Sequence, residues 1–325
     1  MQIVLDTRGL HFSVRNKCFF IQTGSVNRII HPSRIQSILV TAPCRISSPA
    51  LILAAQSEIP VIICTPYGKP EVRMWSPRFM NISTLRRKQY GFTSSTLALS
   101  WANEIIQMKI SGQISNLKYM ADRKTSLMIH VQKGLLEIDS QLKIFNEKVS
   151  ISGEILKKEL LFIEAFTASR YWQTIGMKLP QPFTFTNRVK KNPGDQFNHG
   201  INYLYGMLRN QTESAILSIG LDPALGIVHR DGYKMPSLVF DLMEPFRPIT
   251  DRLLFNSILE NEILWDIPEQ KAKIPVLTKP ARKQLISLFN VALNSRIKFR
   301  NTVTTLQNHI LTEAKYLSER IKHYE

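Results

Sequence analysis

Nothing in this chain of 325 residues stays apolar for long. The longest apolar runs, Ala50 to Ala55 and Val61 to Cys64, fall far short of the about 20 residues that a membrane-spanning helix needs. Cysteine is scarce as well. Cys18, Cys44 and Cys64 form an odd, widely spaced set with no CxxC pair, which argues against a disulfide framework or a cysteine-built zinc site and for reduced thiols in a cytoplasmic protein. The opening MQIVLDTRGLHFSV alternates like a strand and has no basic region followed by an apolar stretch, so no secretory signal is expected. No internal repeat or low-complexity tract is visible. The last shortage is of acid: 25 Asp and Glu stand against 42 Lys and Arg, a net charge of +17. The basic residues are spread along the chain, so the partner is expected to be an extended polyanion. With no spanning segment, nucleic acid leads over a membrane face.

What is present divides into two textures. From Met1 to about Trp75 the runs IVLD, HFSV, CFFIQ, SILV, PVIICT and YGKPEVRMW alternate and are broken by Gly, Pro and Asn, which predicts strands. Tyr67-Gly68-Lys69 reads as a hairpin turn. One helix interrupts them, with Ser47 or Ser48 as N-cap, Pro49 in the first turn and ALILAAQSE following. Near Ser76-Pro77 the pattern changes to long stretches of helical period, and Lys279 to Tyr324 reads as a helical pair or one long helix. The predicted fold is α+β, with a small β-rich domain over residues 1–80 and a larger, mainly α-helical domain over 81–325. The segment Pro180 to Pro193 is the candidate mobile loop.

Glu164 sits in LLFIEAFTASRYWQTIG, where the helical period places Leu161, Ala165, Ala168 and Trp172 against a core. It is either a surface glutamate paired with Arg170 or Lys158, or a carboxylate held near apolar neighbours for a purpose, because an unpaired buried carboxylate is costly. His229 follows an apolar run, Asp231-Gly232 resembles a turn, and Asp241 and Glu244 come next. Taken alone, Asp241 three residues before Glu244 fits a capping box, with Pro245 in the first helical turn. Taken together, one histidine and three carboxylates make an oxygen and nitrogen donor set suited to Mg2+ or Mn2+ more than to zinc. Such an ion would contact phosphate oxygens of the polyanion. His199 is a weaker ligand candidate. The clusters Arg86-Arg87-Lys88, Arg188-Val189-Lys190-Lys191 and Lys279 to Lys283, with Arg282 and Lys283, are either solvated faces or phosphate contacts. Tyr171 and Trp172 read as core.

IEAFTASRYW, then DQFNHGINYLYGML, then LDPALGIVHRDGYKMPSLVFDLMEPFRP, with VTAPCRISSPALILAAQSEIPVIICTPYGKP before them, resemble the CRISPR-associated adaptation integrase family across nearly the whole chain. The resemblance implies a metal-dependent DNA endonuclease and integrase that joins the 3′-hydroxyl ends of short DNA fragments to a CRISPR repeat by transesterification. It implies Glu164, His229 and Glu244 as metal ligands and Asp241 as the acidic residue supporting them, with Arg170, Asn198 and Arg247 in motif positions. The last ligand is aspartate in some members, so Glu244 brings one extra methylene. Implied partners are double-stranded DNA, a second copy bound through the N-terminal part, and a small companion adaptation protein, in a prokaryotic cytoplasm. No nucleotide cofactor is implied, in keeping with the lack of a GxxxxGK[ST] loop. A metal-dependent nuclease that only cuts, and a non-catalytic DNA-binding scaffold, remain as alternatives.

Overall fold

The computed structural model describes residues 1–24, 26–65, 70–74, 83–123, 128–152, 157–176, 179–181, 183–191, 193–229, 232–233, 235–260 and 277–324. The β-rich region holds β1 (Gln2–Leu5), β2 (His11–Arg15), β3 (Cys18–Thr23), β4 (Val26–Ile30), β5 (Ser37–Val40), β6 (Arg45–Ile46), α1 (Ser48–Gln56), β7 (Val61–Cys64) and β8 (Pro70–Met74). One sheet runs β1-β5-β7-β8 and the other β4-β3-β2-β6. The first three strands of the former are parallel and β8 is antiparallel to β7, so the two strands flank the expected hairpin turn at 67–69. That turn and the expected boundary at Ser76-Pro77 lie outside the described residues. Phe12 and Phe19 stack at 5.1 Å and, with Ile38, Ala50 and Val61, make the core between the sheets and α1. Ser47 caps α1 with Pro49 in its first turn, as predicted.

The helical region comprises α2 (Ser83–Phe92), α3 (Thr96–Arg123), α4 (Met128–Ser152), α5 (Lys157–Gly176), α6 (Gln196–Ile219), α7 (Ser237–Met243), a 3-10 turn over Glu244–Phe246, α8 (Arg247–Leu259), α9 (Lys279–Asn294) and α10 (Leu306–Lys322). The predicted fold class is therefore the one found. Between α9 and α10 runs a hairpin of β9 (Arg296–Phe299) and β10 (Thr302–Thr305), so the expected helical pair carries a strand pair that its sequence did not announce. The described residues of the expected loop, 180–181, 183–191 and 193, form no helix or strand, yet Phe183 and Phe185 are buried and the Arg188 guanidinium donates to Asn198 and Asn202, which anchors it.

Four helices meet at one polar knot beneath the candidate site. On α8, Asp251 Oδ1 accepts from the Tyr205 hydroxyl of α6 at 2.6 Å and Oδ2 from the Tyr171 hydroxyl of α5 at 3.1 Å. Asn116 of α3 donates to Tyr171 Oη and to the Pro248 carbonyl. Burial pushes the Asp251 carboxyl up from 3.8 to about 7, against the pull of both tyrosine hydroxyls and the charges of Arg188 and Arg247. Close helix approach supports the same junction: a Cβ on Gly112 of α3 would lie 2.8 Å from Cβ and Cγ of Pro248.

Two outcomes follow from this junction. Between its unfolded value near 3.8 and its folded value near 7, Asp251 keeps its proton in the folded protein and loses it on unfolding, so its contribution to stability falls as pH rises across that window. Asp251→Asn mimics the neutral acid and cannot titrate. Its melting temperature relative to wild type should climb from pH 4 to pH 8, whereas a constant difference would mean that Asp251 titrates normally. Gly112→Ala gains roughly 0.5–1 kcal/mol of helix propensity but overpacks against Pro248 at roughly 1–3 kcal/mol. A net loss of about 1 kcal/mol in urea unfolding is expected, with Gly194→Ala, which meets nothing within 4 Å, near neutral.

Candidate metal-dependent active site

One buried carboxylate organises the loop that carries His229. Asp241, with 0% exposure, accepts the N–H groups of Ile227 at 2.6 Å and Val228 at 3.0 Å through Oδ2, and that of His229 at 3.0 Å through Oδ1. Its Oδ1 also lies 2.6 Å from His229 Nδ1. A carboxylate held by these donors is an acceptor, so Nδ1 carries the proton and the lone pair of Nε2 is left free. Nε2 lies 4.0 Å from Glu244 Oε1. The loop is clamped from its other side too, where Lys157 of α5 donates to the Ile227 carbonyl at 2.5 Å. Gly226 is required for the tight path, since a Cβ there would meet Ser237 Cβ at 2.5 Å.

This corrects the capping-box reading. The helix begins at Ser237 rather than near Asp241, and Pro236 precedes it without a side-chain cap. Asp241 lies inside α7, where its oxygens satisfy buried amides of another segment, an arrangement stronger than a single cap bond. Pro245 belongs to the 3-10 turn that breaks α7 from α8. The expected turn at Asp231-Gly232 lies partly outside the described residues; beyond it the Met235 N–H donates to the Gly232 carbonyl.

Glu244 and Glu164 face each other across an ammonium. Lys109 of α3, 6% exposed, pairs with Glu164 Oε1 and lies 2.7 Å from Glu244 Oε2. Arg247 donates to Glu244 Oε1 at 2.9 Å, with its guanidinium 4.6 Å from the Tyr205 ring centroid. Burial works against the Glu244 anion, but Arg247 and Lys109 outweigh it and bring the carboxyl down to about 2. Burial likewise works against the Lys109 cation, and Glu244 and Glu164 overcome it, holding its pKa above the ordinary value. The expected surface pairing of Glu164 with Arg170 or Lys158 is thus replaced by Lys109, while Arg170 pairs with Glu137 at 2.7 Å. The buried face of α5 also differs from the expected one. Leu160, Ile163, Thr167 and Tyr171 point inward, whereas Leu161 and Ala165 are exposed. Tyr171 and Trp172 are core, as predicted.

These groups line a cavity of about 390 Å3 that also takes in Gln113, Trp172, Asn187, Arg188, Lys190 and Tyr205. Of the predicted phosphate contacts, Arg188, Lys190 and Arg247 are therefore at the site and Lys191 is exposed beside them. Arg188 spends its guanidinium on Asn198, Asn202 and the Val189 carbonyl. Arg86, Arg87 and Lys88 lie on α2, where Arg86 donates to the Gly220 carbonyl and Lys88 to that of Lys322, closing the end of α10. On α9, Lys283 lines a cavity beside Met1 to Thr7, and Arg282 acts electrostatically on Tyr203. Asn198 is buried at the start of α6, bonded to Asp195 and to the Asn187 carbonyl, and His199 is half-buried outside the cavity. Lys109 was not anticipated. Its signal was a lysine on the face of α3 that also carries the buried Ile105, Ile106 and Ile110.

Among the described residues no three His, Cys, Asp or Glu side chains close around one point; the Lys109 ammonium stands between two of the candidates. The donors nevertheless suit a hard or borderline divalent cation such as Mg2+ or Mn2+. Glu244 Oε2 is buried against the Lys109 ammonium, a cation already held where an ion would sit, His229 offers Nε2, and Asp241 supports that ring as outer partners support metal-binding histidines.

The chain matches the family described as CRISPR associated protein Cas1 over residues 3–291. It is 26% identical over 327 aligned residues, 97% of this chain and 94% of the other, to "CRISPR-associated endonuclease Cas1 1" of Archaeoglobus fulgidus. Among solved structures it resembles "Casposase bound to integration product" at 21% identity, covering 100% of this chain and 91% of that one with a TM-score of 0.81. It also resembles a chain of the "Cas6-RT-Cas1--Cas2 complex" at 20% identity, covering 99% of this chain and 35% of that one with a TM-score of 0.75. At those identities the structural likenesses speak for the fold, whereas the family match spans most of the sequence, and on that ground this chain belongs to the CRISPR-associated Cas1 family.

Proposed function

We propose that this chain is a metal-dependent DNA endonuclease and integrase of CRISPR adaptation. The observation that carries the reading is the convergence of Glu164 from α5, His229 from a loop and Glu244 from the α7–α8 junction on one basic cavity. The names of the relatives, an endonuclease and a casposase with its integration product, support the same direction. Glu164, His229 and Glu244 would hold Mg2+ or Mn2+. When bound, the ion would screen phosphoryl charge and favour the deprotonated form of the attacking hydroxyl.

The chain's own residues do the rest. Asp241 fixes the His229 ring, and Arg247 fixes Glu244 by its bond to Oε1. Lys190 at the mouth, with Lys191 beside it, supplies positive charge for two DNA segments, a fragment end and a repeat. The 3′-oxygen of the fragment forms a new ester to the repeat phosphorus as the bond from that phosphorus to the old 3′-oxygen breaks, and the proton of the attacking hydroxyl ends on the leaving oxygen. One phosphodiester replaces another, so no nucleotide cofactor is required. Arg86, Arg87, Lys88, Arg282 and Lys283 stand away from the cavity and would serve, if they touch DNA, along its outer path. We further propose that residues 1–80 form a dimerisation domain and 81–325 the catalytic domain, with a small companion adaptation protein bridging dimers. The presence of Cas2 in the name of one structural relative accords with that.

The test is a strand-transfer assay with a labelled 3′-hydroxyl duplex, a repeat-bearing plasmid and Mg2+ or Mn2+, with the companion protein present. Glu164→Ala and His229→Ala should keep DNA binding and lose joining by more than roughly 100-fold, beyond the 10–100-fold typical of losing an outer partner. Fully active variants would contradict the site. Metal-dependent cutting without joining by wild type would favour a plain nuclease, and binding without chemistry a scaffold.

A further inference from the structure

Lys109 fills the space that an ion bridging Glu164 and Glu244 would need. Its Nζ lies 2.7 Å from Glu244 Oε2 and pairs with Glu164 Oε1. An ammonium donates to oxygens at about 2.7–2.9 Å, whereas Mg2+ draws them to about 2.0–2.1 Å. Both cations want the same oxygens, and two positive centres cannot share that spacing. A second observation shows where the ammonium could go. Gln113 lies one helical turn further along α3, on the same side, lines the same cavity and is 2% exposed. Its Oε1 is buried with no hydrogen-bond partner. An unpaired buried acceptor is costly, and residues four apart on a helix are within side-chain reach of one another.

We infer that Lys109 is a tethered competitor of the divalent ion. In the metal-free protein its ammonium bridges Glu164 and Glu244, and on metal binding it withdraws toward Gln113 Oε1. This rests on the reading of Glu164 and Glu244 as metal ligands. Two consequences follow. The metal-free site is charge-compensated, so the carboxylates stay together and the helices remain packed without the ion. Metal must displace a buried ion pair, so the site fills only where divalent ion is abundant, and it releases an ammonium into a cavity meant for phosphates.

Binding of Mn2+ to the full-length protein, read as loss of the free-ion signal in electron paramagnetic resonance, tests this directly. Lys109→Met should lower the Kd for Mn2+ by roughly tenfold or more, because about 1.4 kcal/mol of competition is tenfold in affinity. The melting temperature of this variant should be lower than that of wild type without metal and should rise more steeply on adding Mn2+. Gln113→Leu, which keeps Lys109 and removes its refuge, should raise the Kd several-fold and decides the matter if Lys109→Met does not fold. Unchanged or weaker Mn2+ binding in Lys109→Met, or unchanged binding in Gln113→Leu, overturns the inference. Glu164→Gln separates this from the underlying reading: if wild type binds no Mn2+, or binds it as well without the Glu164 carboxylate, the ligand assignment itself has failed.

Discussion

The buried carboxylate of Asp241 is the constraint on which the site depends. A charge with no exposure is tolerable only if its lone pairs are occupied, and here three successive amides and an imidazole N–H occupy them. The same bonds that satisfy the anion dictate the course of residues 227–229 and the protonation of the His229 ring. Moving Asp241 would therefore move His229, turn its free nitrogen away from Glu244 and leave three amides unsatisfied at once.

Around this centre the charges are arranged as an alternating lattice. Glu164, Lys109, Glu244 and Arg247 follow one another within ion-pair distance, so each of these four charges has a neighbour of opposite sign. The strongly basic chain thus concentrates several of its few carboxylates at one place. The neighbouring polar knot of Asp251, Tyr171, Tyr205 and Asn116 holds α3, α5, α6 and α8 in register, and Tyr205 also carries the Arg247 guanidinium on its ring face. Packing between the two regions adds further joints, among them the Arg73–Glu213 ion pair and the bond from Gln211 to Ser37.

Much of the fold was readable because it obeys local rules. Short β-branched apolar runs bounded by turn residues gave the strands of the first sheet, and Ser47 with Pro49 announced α1. The exposed edge strand β4 and the two-residue β6 were missed because neither carries alternation long enough to register. The β9–β10 hairpin was missed for another reason. Its turn uses Arg300 at φ 50°, a conformation uncommon outside glycine, and Arg300 is held there by a bidentate pairing with Glu313 of α10. Such support comes from tertiary contact and leaves no local trace. Within the site, the resemblance singled out Glu164, His229, Asp241 and Glu244; Glu164, His229 and Glu244 line one cavity, and Asp241 lies behind it, bonded to His229. The role of Asp241 was not legible from spacing alone, because Asp-x-x-Glu fits a cap equally well until the partner amides are known. Lys109 was hidden by distance: it reaches Glu164 across 55 residues of sequence, and a lysine in an apolar helix reads as a surface residue whose stem packs inward.

The central claim is that Glu164, His229 and Glu244 serve a single divalent ion, and the position of a bound ion tests it most directly. Crystals of the full-length protein grown with Mn2+ and measured for anomalous scattering should show one strong peak at bonding distance from a Glu164 oxygen, Glu244 Oε2 and His229 Nε2. Manganese bound only elsewhere, with both carboxylates still on Lys109, would contradict the account.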